Sequence, residues 1–183
     1  MRTLTACLLL TLTGLAAAQT AAPLPAPLRA EVKAVERLCD KAIDNYSIDT
    51  IEQITHARAL HIEGYGVLIS FEVDLARVSP LIVFGGGVTQ AQKERIRENK
   101  LKRFPEFRQF LEGLLLEAVK PLEHLSAEEN LLVSVSFDYA NYEDRGGLPE
   151  TISISAKKKD LLDAVERKTP REQLAGILKV NVE

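Results

Sequence analysis

A nine-residue stretch, Leu131 to Tyr139, alternates apolar and polar side chains with a period of two. Its odd-numbered residues are apolar or aromatic, while Ser134, Ser136 and Asp138 point the other way. This alternation is typical of a β-strand with one buried face and one wet face. Residues 67–76 and 151–156 repeat the pattern. We therefore expect an antiparallel sheet with one face covered.

The other patterns place helices and turns around these strands. Residues 49–62 fit a helix or a strand, and the turn signal at 63–66 favours a strand that forms a hairpin with residues 67–75. Helices are predicted at 29–46, 89–103, 106–120 and 160–168, with a last helix of two or three turns running from Thr169 toward Lys179, and Pro105 ends or kinks the second of them. The predicted fold class is α+β, with two layers: a four-stranded antiparallel sheet from two hairpins, and helices packed on one face.

The first residues have the pattern of a secretory signal peptide. Arg2 supplies a basic start, Leu4–Leu15 an apolar run, and Ala16–Ala18 a small-residue cleavage site. We predict a signal peptide at 1–18, a Pro/Ala-rich linker at 19–28 and a single domain at 29–183. The chain is then exported, to the periplasm or out of the cell. No stretch of the mature chain is apolar enough over the roughly 20 residues that span a bilayer, so no transmembrane span is expected.

Charge and cysteine content restrict the partners and the covalent chemistry. A formal net charge of −3 over 183 residues gives no general attraction for nucleic acid, so no nucleic-acid partner is predicted. The local run of Lys and Arg between 93 and 103 is interpreted as a solvated helix face, with an anionic envelope surface as the alternative. Cleavage would remove Cys7 and leave Cys39 on an apolar helical stripe. A buried, inert thiol is predicted, with a disulfide between chains as the alternative.

The sequence contains no nucleophile elbow, phosphate loop or metal-ligand cluster. His56 and His61 are five residues apart and cannot share a face of a strand or a helix, so no metal site is predicted. Glu72 and Asp74 share a strand face about 6.6 Å apart, close to the spacing of a glycosidase pair. An open sheet face would not raise the pKa of either carboxyl group, so neither is predicted to be catalytic. No cofactor is expected.

Two groups of residues are candidate interaction sites. The first is a hydroxyl-rich sheet face that gathers positions from three strands: Ser70, Ser134, Ser136, Ser153 and Ser155. Such a face binds a ligand or a partner, or it is simply the wet side of an antiparallel sheet.

The second group is an apolar loop within residues 77–88: Leu81, Ile82, Val83, Phe84, Gly85, Gly86 and Gly87. This loop either packs over the sheet or forms an edge strand, or else it docks against a partner, a second copy of the chain or a membrane surface. Its glycines precede a helix and could meet an anion, but they lack the Lys-Ser/Thr of a phosphate loop. A homodimer is compatible with this pattern.

The function predicted from these observations is an exported, non-catalytic binding module for an unknown protein or envelope component. The alternative is a small secreted hydrolase whose site is assembled only in three dimensions. A deep pocket in which a histidine or carboxylate meets a hydroxyl would favour the hydrolase. A flat sheet face would favour the binding module.

Overall fold

The structure, a computed structural model, describes residues 24–46, 51–76 and 88–183. In chain order the elements are α1 (Ala26–Tyr46), β1 (Glu52–Ile62), β2 (Gly66–Asp74), α2 (Gln90–Ala118), β3 (Asn130–Phe137), β4 (Thr151–Lys157), α3 (Lys158–Glu166), α4 (Arg171–Leu174) and β5 (Lys179–Val182). The five strands form one open sheet in the order β1-β2-β3-β4-β5. The fold class is therefore α+β. None of the helices in the described ranges is long and apolar enough to cross a membrane.

The sheet is mixed, because β2 and β3 run parallel while every other neighbouring pair is antiparallel. The prediction of four antiparallel strands is wrong in the number of strands and in this pairing. The reason lies in α2, a helix of 29 residues between β2 and β3. A long helical connection can carry the chain back along the sheet, so that the next strand starts from the same end. The two hairpins are thus joined side by side.

The end of the chain forms a strand where a helix was predicted. The helix from Arg171 stops after a single turn, and β5 then pairs with β4 so that Val180 faces Ile154 and Val182 faces Ile152. The alternation of Lys179, Val180, Asn181 and Val182 is a strand pattern, but four residues are too few for it to outweigh the helix-start signal at Thr169 and Pro170.

The two helices predicted around Pro105 are one continuous helix, α2. It begins with the predicted capping box: Thr89 Oγ1 accepts from the Gln92 N–H at 3.3 Å, and Gln92 Oε1 accepts from the Thr89 N–H at 2.8 Å. Proline removes one helical hydrogen bond, which would have joined its nitrogen to the carbonyl of Leu101. Leu101 and Pro105 are both exposed, so water can solvate that carbonyl and the helix continues.

One hydrophobic core joins one face of the sheet to the helices. Every second residue of β2 and β3 points into it, and α2 contributes a stripe along its length: Phe107, Leu111, Leu114, Leu115 and Ala118. From α1, Cys39 lies in the same core with no exposed surface. Burial, and secondarily the charge of Asp40, raises the pKa of Cys39 to about 12, so the thiol stays protonated and unreactive.

Candidate binding face

The second face of the sheet is not covered by any helix in the described ranges. On this face Ser70 and Ser136 are exposed, whereas their chain neighbours Ile69 and Val135 have no exposed surface. We call it the uncovered face.

A polar row crosses the uncovered face from one edge of the sheet to the other. Ser70 of β2 is opposite Ser134 of β3, which is opposite Ser153 of β4. Arg58 of β1 extends the row at one end and Asn181 of β5 at the other. Residues that are far apart in the chain therefore lie side by side, because the strand registers align them.

The other two predicted serines lie on rows directly beside this one. Ser136 is opposite Glu72 on one side and Thr151 on the other, and Ser155 is opposite Leu132 and Lys179. All five serines thus occupy one patch on three adjacent strands.

An apolar band runs alongside the polar row. Leu60 of β1 is opposite Leu68 of β2, which is opposite Leu132 of β3. Leu60 is 60% exposed, and Ile62 on the same strand is 40% exposed. Single exposed apolar residues are ordinary, but neighbouring ones on an uncovered sheet face are a candidate interaction surface.

A depression of about 630 Å³ opens where β1 departs from regular pairing. The register of β1 against β2 shifts between Gln53 and Thr55 and again between Thr55 and Arg58. In the shifted segment Thr55 Oγ1 accepts the backbone N–H of Glu72 at 3.0 Å. Bulges of this kind often lie beside functional sites because they re-aim side chains. Beside this irregularity Thr55, His56, Arg58, Glu72 and Ser136 line one hollow.

The uncovered face offers hydrogen bonding and apolar contact, but no Phe, Tyr or Trp ring for stacking. Serine hydroxyls donate and accept, Arg58 is an exposed cation, and Glu72 is a half-buried anion. None of the residues at outward positions of the five strands is Phe, Tyr or Trp. This chemistry suits a ligand with both apolar and hydrogen-bonding groups.

The hydroxyl groups of this face are not paired with a base. Within the described residues, no hydrogen bond joins the side chain of a strand serine, or the hydroxyl proton of Thr55, to His56 or Glu72. Nucleophilic catalysis needs that contact to activate the hydroxyl. The hollow is also open to solvent, whereas acid catalysis by a carboxyl group needs a desolvated pocket.

The three histidines lie in three different places, and each faces its own carboxylate. His56 Nδ1 is 3.4 Å from Asp40, His61 Nε2 is 3.0 Å from Glu129, and His124 Nδ1 is 2.5 Å from Glu31. No group of three or more His, Cys, Asp or Glu residues in the described ranges could hold a metal ion.

Glu72 and Asp74, which share a strand face, have different surroundings. Asp74 Oδ1 lies 2.8 Å from Lys100 Nζ and accepts the backbone N–H of Ala76 at 2.9 Å. The carboxylate of Asp74 is thus engaged in an internal ion pair, while Glu72 faces the hollow.

The burial of Lys100 was not predicted from the sequence. The basic run at 93–103 was predicted to be a solvated helix face, yet Lys100 has no exposed surface. Its Nζ lies 2.8 Å from Asp74 Oδ1, 2.6 Å from Glu143 Oε2 and 3.2 Å from the carbonyl oxygen of Asp138, with the ring of Tyr139 at 4.7 Å. It ties the ends of β2 and β3 to α2.

A second buried lysine, Lys158, stands between two exposed lysines where β4 passes into α3. Lys158 Nζ donates to the carbonyls of Glu123 and Leu125, at 2.9 and 2.7 Å. Lys157 and Lys159 do remain exposed, and both bind Glu128 at 2.8 Å. Hydrogen bonds from these two lysines lower the pKa of Glu128 to about 2.

The predicted interaction loop, Leu81 to Gly87, lies outside the described residues. Its role in docking stays a prediction. Residues 1–23 also lie outside the described residues, so the signal peptide and the first part of the linker stay predictions.

Comparisons of the chain with protein-family models, with curated proteins and with solved structures found no match.

Proposed function

We propose that this chain is an exported, non-catalytic module that binds a protein partner through the uncovered face. The observation that carries the proposal is the placement of the Leu60–Leu68–Leu132 band directly beside the row of Arg58, Ser70, Ser134, Ser153 and Asn181. Export is supported by the leader pattern of residues 1–18.

A polypeptide is the ligand class that fits this surface best. Burying the exposed leucines contributes about 25 cal/mol per Å² of apolar area, and a polypeptide surface supplies both apolar side chains and the amide groups that serine hydroxyls can bind. Carbohydrate sites depend on Phe, Tyr or Trp rings, which are absent from the outward positions of the described strands. Single-stranded nucleic acid needs stacking platforms as well, together with a positive groove.

Binding is favoured over hydrolysis by the geometry of the hollow. Thr55, Ser136, His56 and Glu72 all line it, but the Thr55 oxygen accepts a backbone N–H and His56 leans toward Asp40 on α1. The hollow thus gathers polar side chains without forming the hydroxyl–base contact of a hydrolase.

Site-specific photocrosslinking in living cells tests the proposal. A benzophenone amino acid placed at Ser70 or Ser136 should give crosslinks to one recurring envelope protein, since both positions are exposed on the uncovered face. Mass spectrometry of the crosslinked band identifies the partner and separates it from a second copy of this chain.

Two control positions carry the same probe on the helical side. Ala91 is exposed near the start of α2, and Gly113 opens onto the groove between α1 and α2 with no atom within 4 Å of an added Cβ. Crosslinks that form at Ala91 or Gly113 and are absent at Ser70 and Ser136 would overturn the proposed face.

A further inference from the structure

The two edges of the sheet differ in whether their outward-pointing backbone groups are hydrogen-bonded. At the β1 edge, α1 supplies carboxylates to the free N–H groups: Asp40 Oδ1 accepts from Ala57 at 2.7 Å and Glu36 Oε1 accepts from Ala59 at 2.9 Å. An added strand would have to displace both bonds. The β1 edge is therefore closed.

At the β5 edge the outward groups can be identified from the pairing with β4. Thr151 and Glu183 exchange both of their backbone hydrogen bonds, each at 3.1 Å. In an antiparallel pair, bonding direction alternates along the strand, so the N–H and C=O groups of Val180 and Val182 point away from β4. No other strand in the described ranges lies beyond β5. Val182 is also 44% exposed although its side chain lies on the core side of the sheet.

We propose that β5 pairs with β5 of a second copy of this chain, antiparallel and about a two-fold axis through Asn181. In this register Val180 is opposite Val182 of the second copy, and the two residues exchange the backbone bonds that face the open edge. One continuous sheet then runs through both copies. The inference does not depend on the proposed function of the uncovered face.

The side chains of β5 are self-complementary in this register. Lys179 and Glu183 lie on the uncovered face, as do their β4 partners Ser155 and Thr151. The two-fold places Lys179 opposite Glu183 of the second copy, twice over. On the core face each Val182 is covered by Val180 of the second copy. Opposite charges and β-branched pairs directly across strands stabilise such an interface.

The charges of β5 favour a two-fold at Asn181 over the neighbouring register. Shifting the two-fold by one residue, to Val180, places Lys179 opposite Asn181 and leaves Glu183 without a cation. A contact of five residues from each copy is far below the roughly 1,200 Å² buried in a stable complex, so we expect a weak dimer that forms at high concentration.

Sedimentation velocity of the purified protein, up to millimolar concentration, measures the dimer. Lys179→Glu and Glu183→Lys should each weaken it about tenfold, because each change replaces two attractive pairs with repulsive ones. The double variant Lys179→Glu/Glu183→Lys restores opposite charges and should recover dimerisation. Recovery would assign the contact to this register.

Val182→Pro removes an N–H that faces the open edge, and does not touch the bonds to β4. It should abolish the dimer while the melting temperature stays within a few degrees of the wild type. If this variant unfolds, the single and double charge variants of Lys179 and Glu183 test the dimer without it.

A sedimentation coefficient that stays at the value of the monomer up to millimolar concentration would overturn the proposal. So would a dimer that the single charge variants leave unchanged.

Discussion

The charge of Lys100 is buried in the interior and is stabilised by the groups around it. Its ammonium group donates a hydrogen bond to the carbonyl of Asp138 and forms ion pairs with the carboxylates of Asp74 and Glu143. Burial, and then the charges of Glu143 and Asp74, raises the pKa of the adjacent Tyr139 well above its ordinary value. Tyr139 therefore stays neutral and donates its hydroxyl proton to the carbonyl of Pro149 at 2.5 Å.

Lys100→Met should be strongly destabilising. Methionine keeps the length of the side chain but leaves the carboxylates of Asp74 and Glu143 buried without a cation, which costs about 3–5 kcal/mol. Lys102→Met is the matched control, because Lys102 is exposed on the same helix and should change the free energy of unfolding by less than about 0.5 kcal/mol. Urea melts measure both. Equal midpoints for the two variants would show that Lys100 is solvated.

The burial of Lys100 had a signal in the sequence. Lys100, Phe104, Phe107, Leu111 and Leu114 follow one another at steps of four and three, so the lysine stands on the apolar stripe of α2. Five other basic residues surround Lys100, so the composition of the segment is that of a solvated helix face. The acidic partners could not be predicted, since Asp74 and Glu143 come from distant parts of the chain.

At the scale of elements, α1 protects the edge of the sheet with its side chains. Glu36 is buried and accepts the Ala59 N–H, while Lys33 binds its other oxygen at 2.7 Å. Burial acts to raise the pKa of Glu36, but the bond from Ala59 and the contact with Lys33 outweigh it, and the pKa lies below its ordinary value of 4.5. The ionised form is therefore the one that holds α1 against β1.

Glu36→Gln should lower stability at neutral pH and matter less in acid. Because the folded pKa is depressed, the contribution of the charge is fully present above pH 4.5 and is lost as the pH falls through the folded value. We expect a difference of about 1 kcal/mol in unfolding free energy at neutral pH, since glutamine still accepts the N–H.

The control for this experiment is Glu98→Gln, at an exposed position of α2. Urea melts at neutral pH and near pH 3 provide the comparison. A difference between wild type and Glu36→Gln that is the same at both pH values would contradict the role of the ionised carboxylate.

Element types were predictable where a pattern was long, and failed where it was short. The alternation in β2, β3 and β4 identified those strands, and the capping box located the start of α2. β5 was missed because four residues carry little periodicity. The continuity of α2 through Pro105 depends on the exposure of Leu101 and Pro105 to water. The presence of a proline in the sequence does not show that exposure.

At the scale of the molecule, the alternating strands predicted which serines share a face but not how the strands are ordered. A parallel and an antiparallel pairing of β2 with β3 bury the same residues of each strand, so periodicity cannot separate them. Only the register shows that Ser70, Ser134 and Ser153 are direct neighbours. The apolar band and the hollow at β1 depend on the same register.

Thiol labelling of the native protein tests the central claim, that one face of this sheet is uncovered and available for binding. Ser136→Cys and Val135→Cys are compared in the chain without Cys7, where Cys39 is buried and serves as an internal unreactive thiol. We predict that Ser136→Cys reacts within about tenfold of its rate in urea, while Val135→Cys is protected more than about a thousandfold because it reacts only when the core opens. Comparable protection at both positions would contradict the account, since it would mean that another part of the chain covers this face.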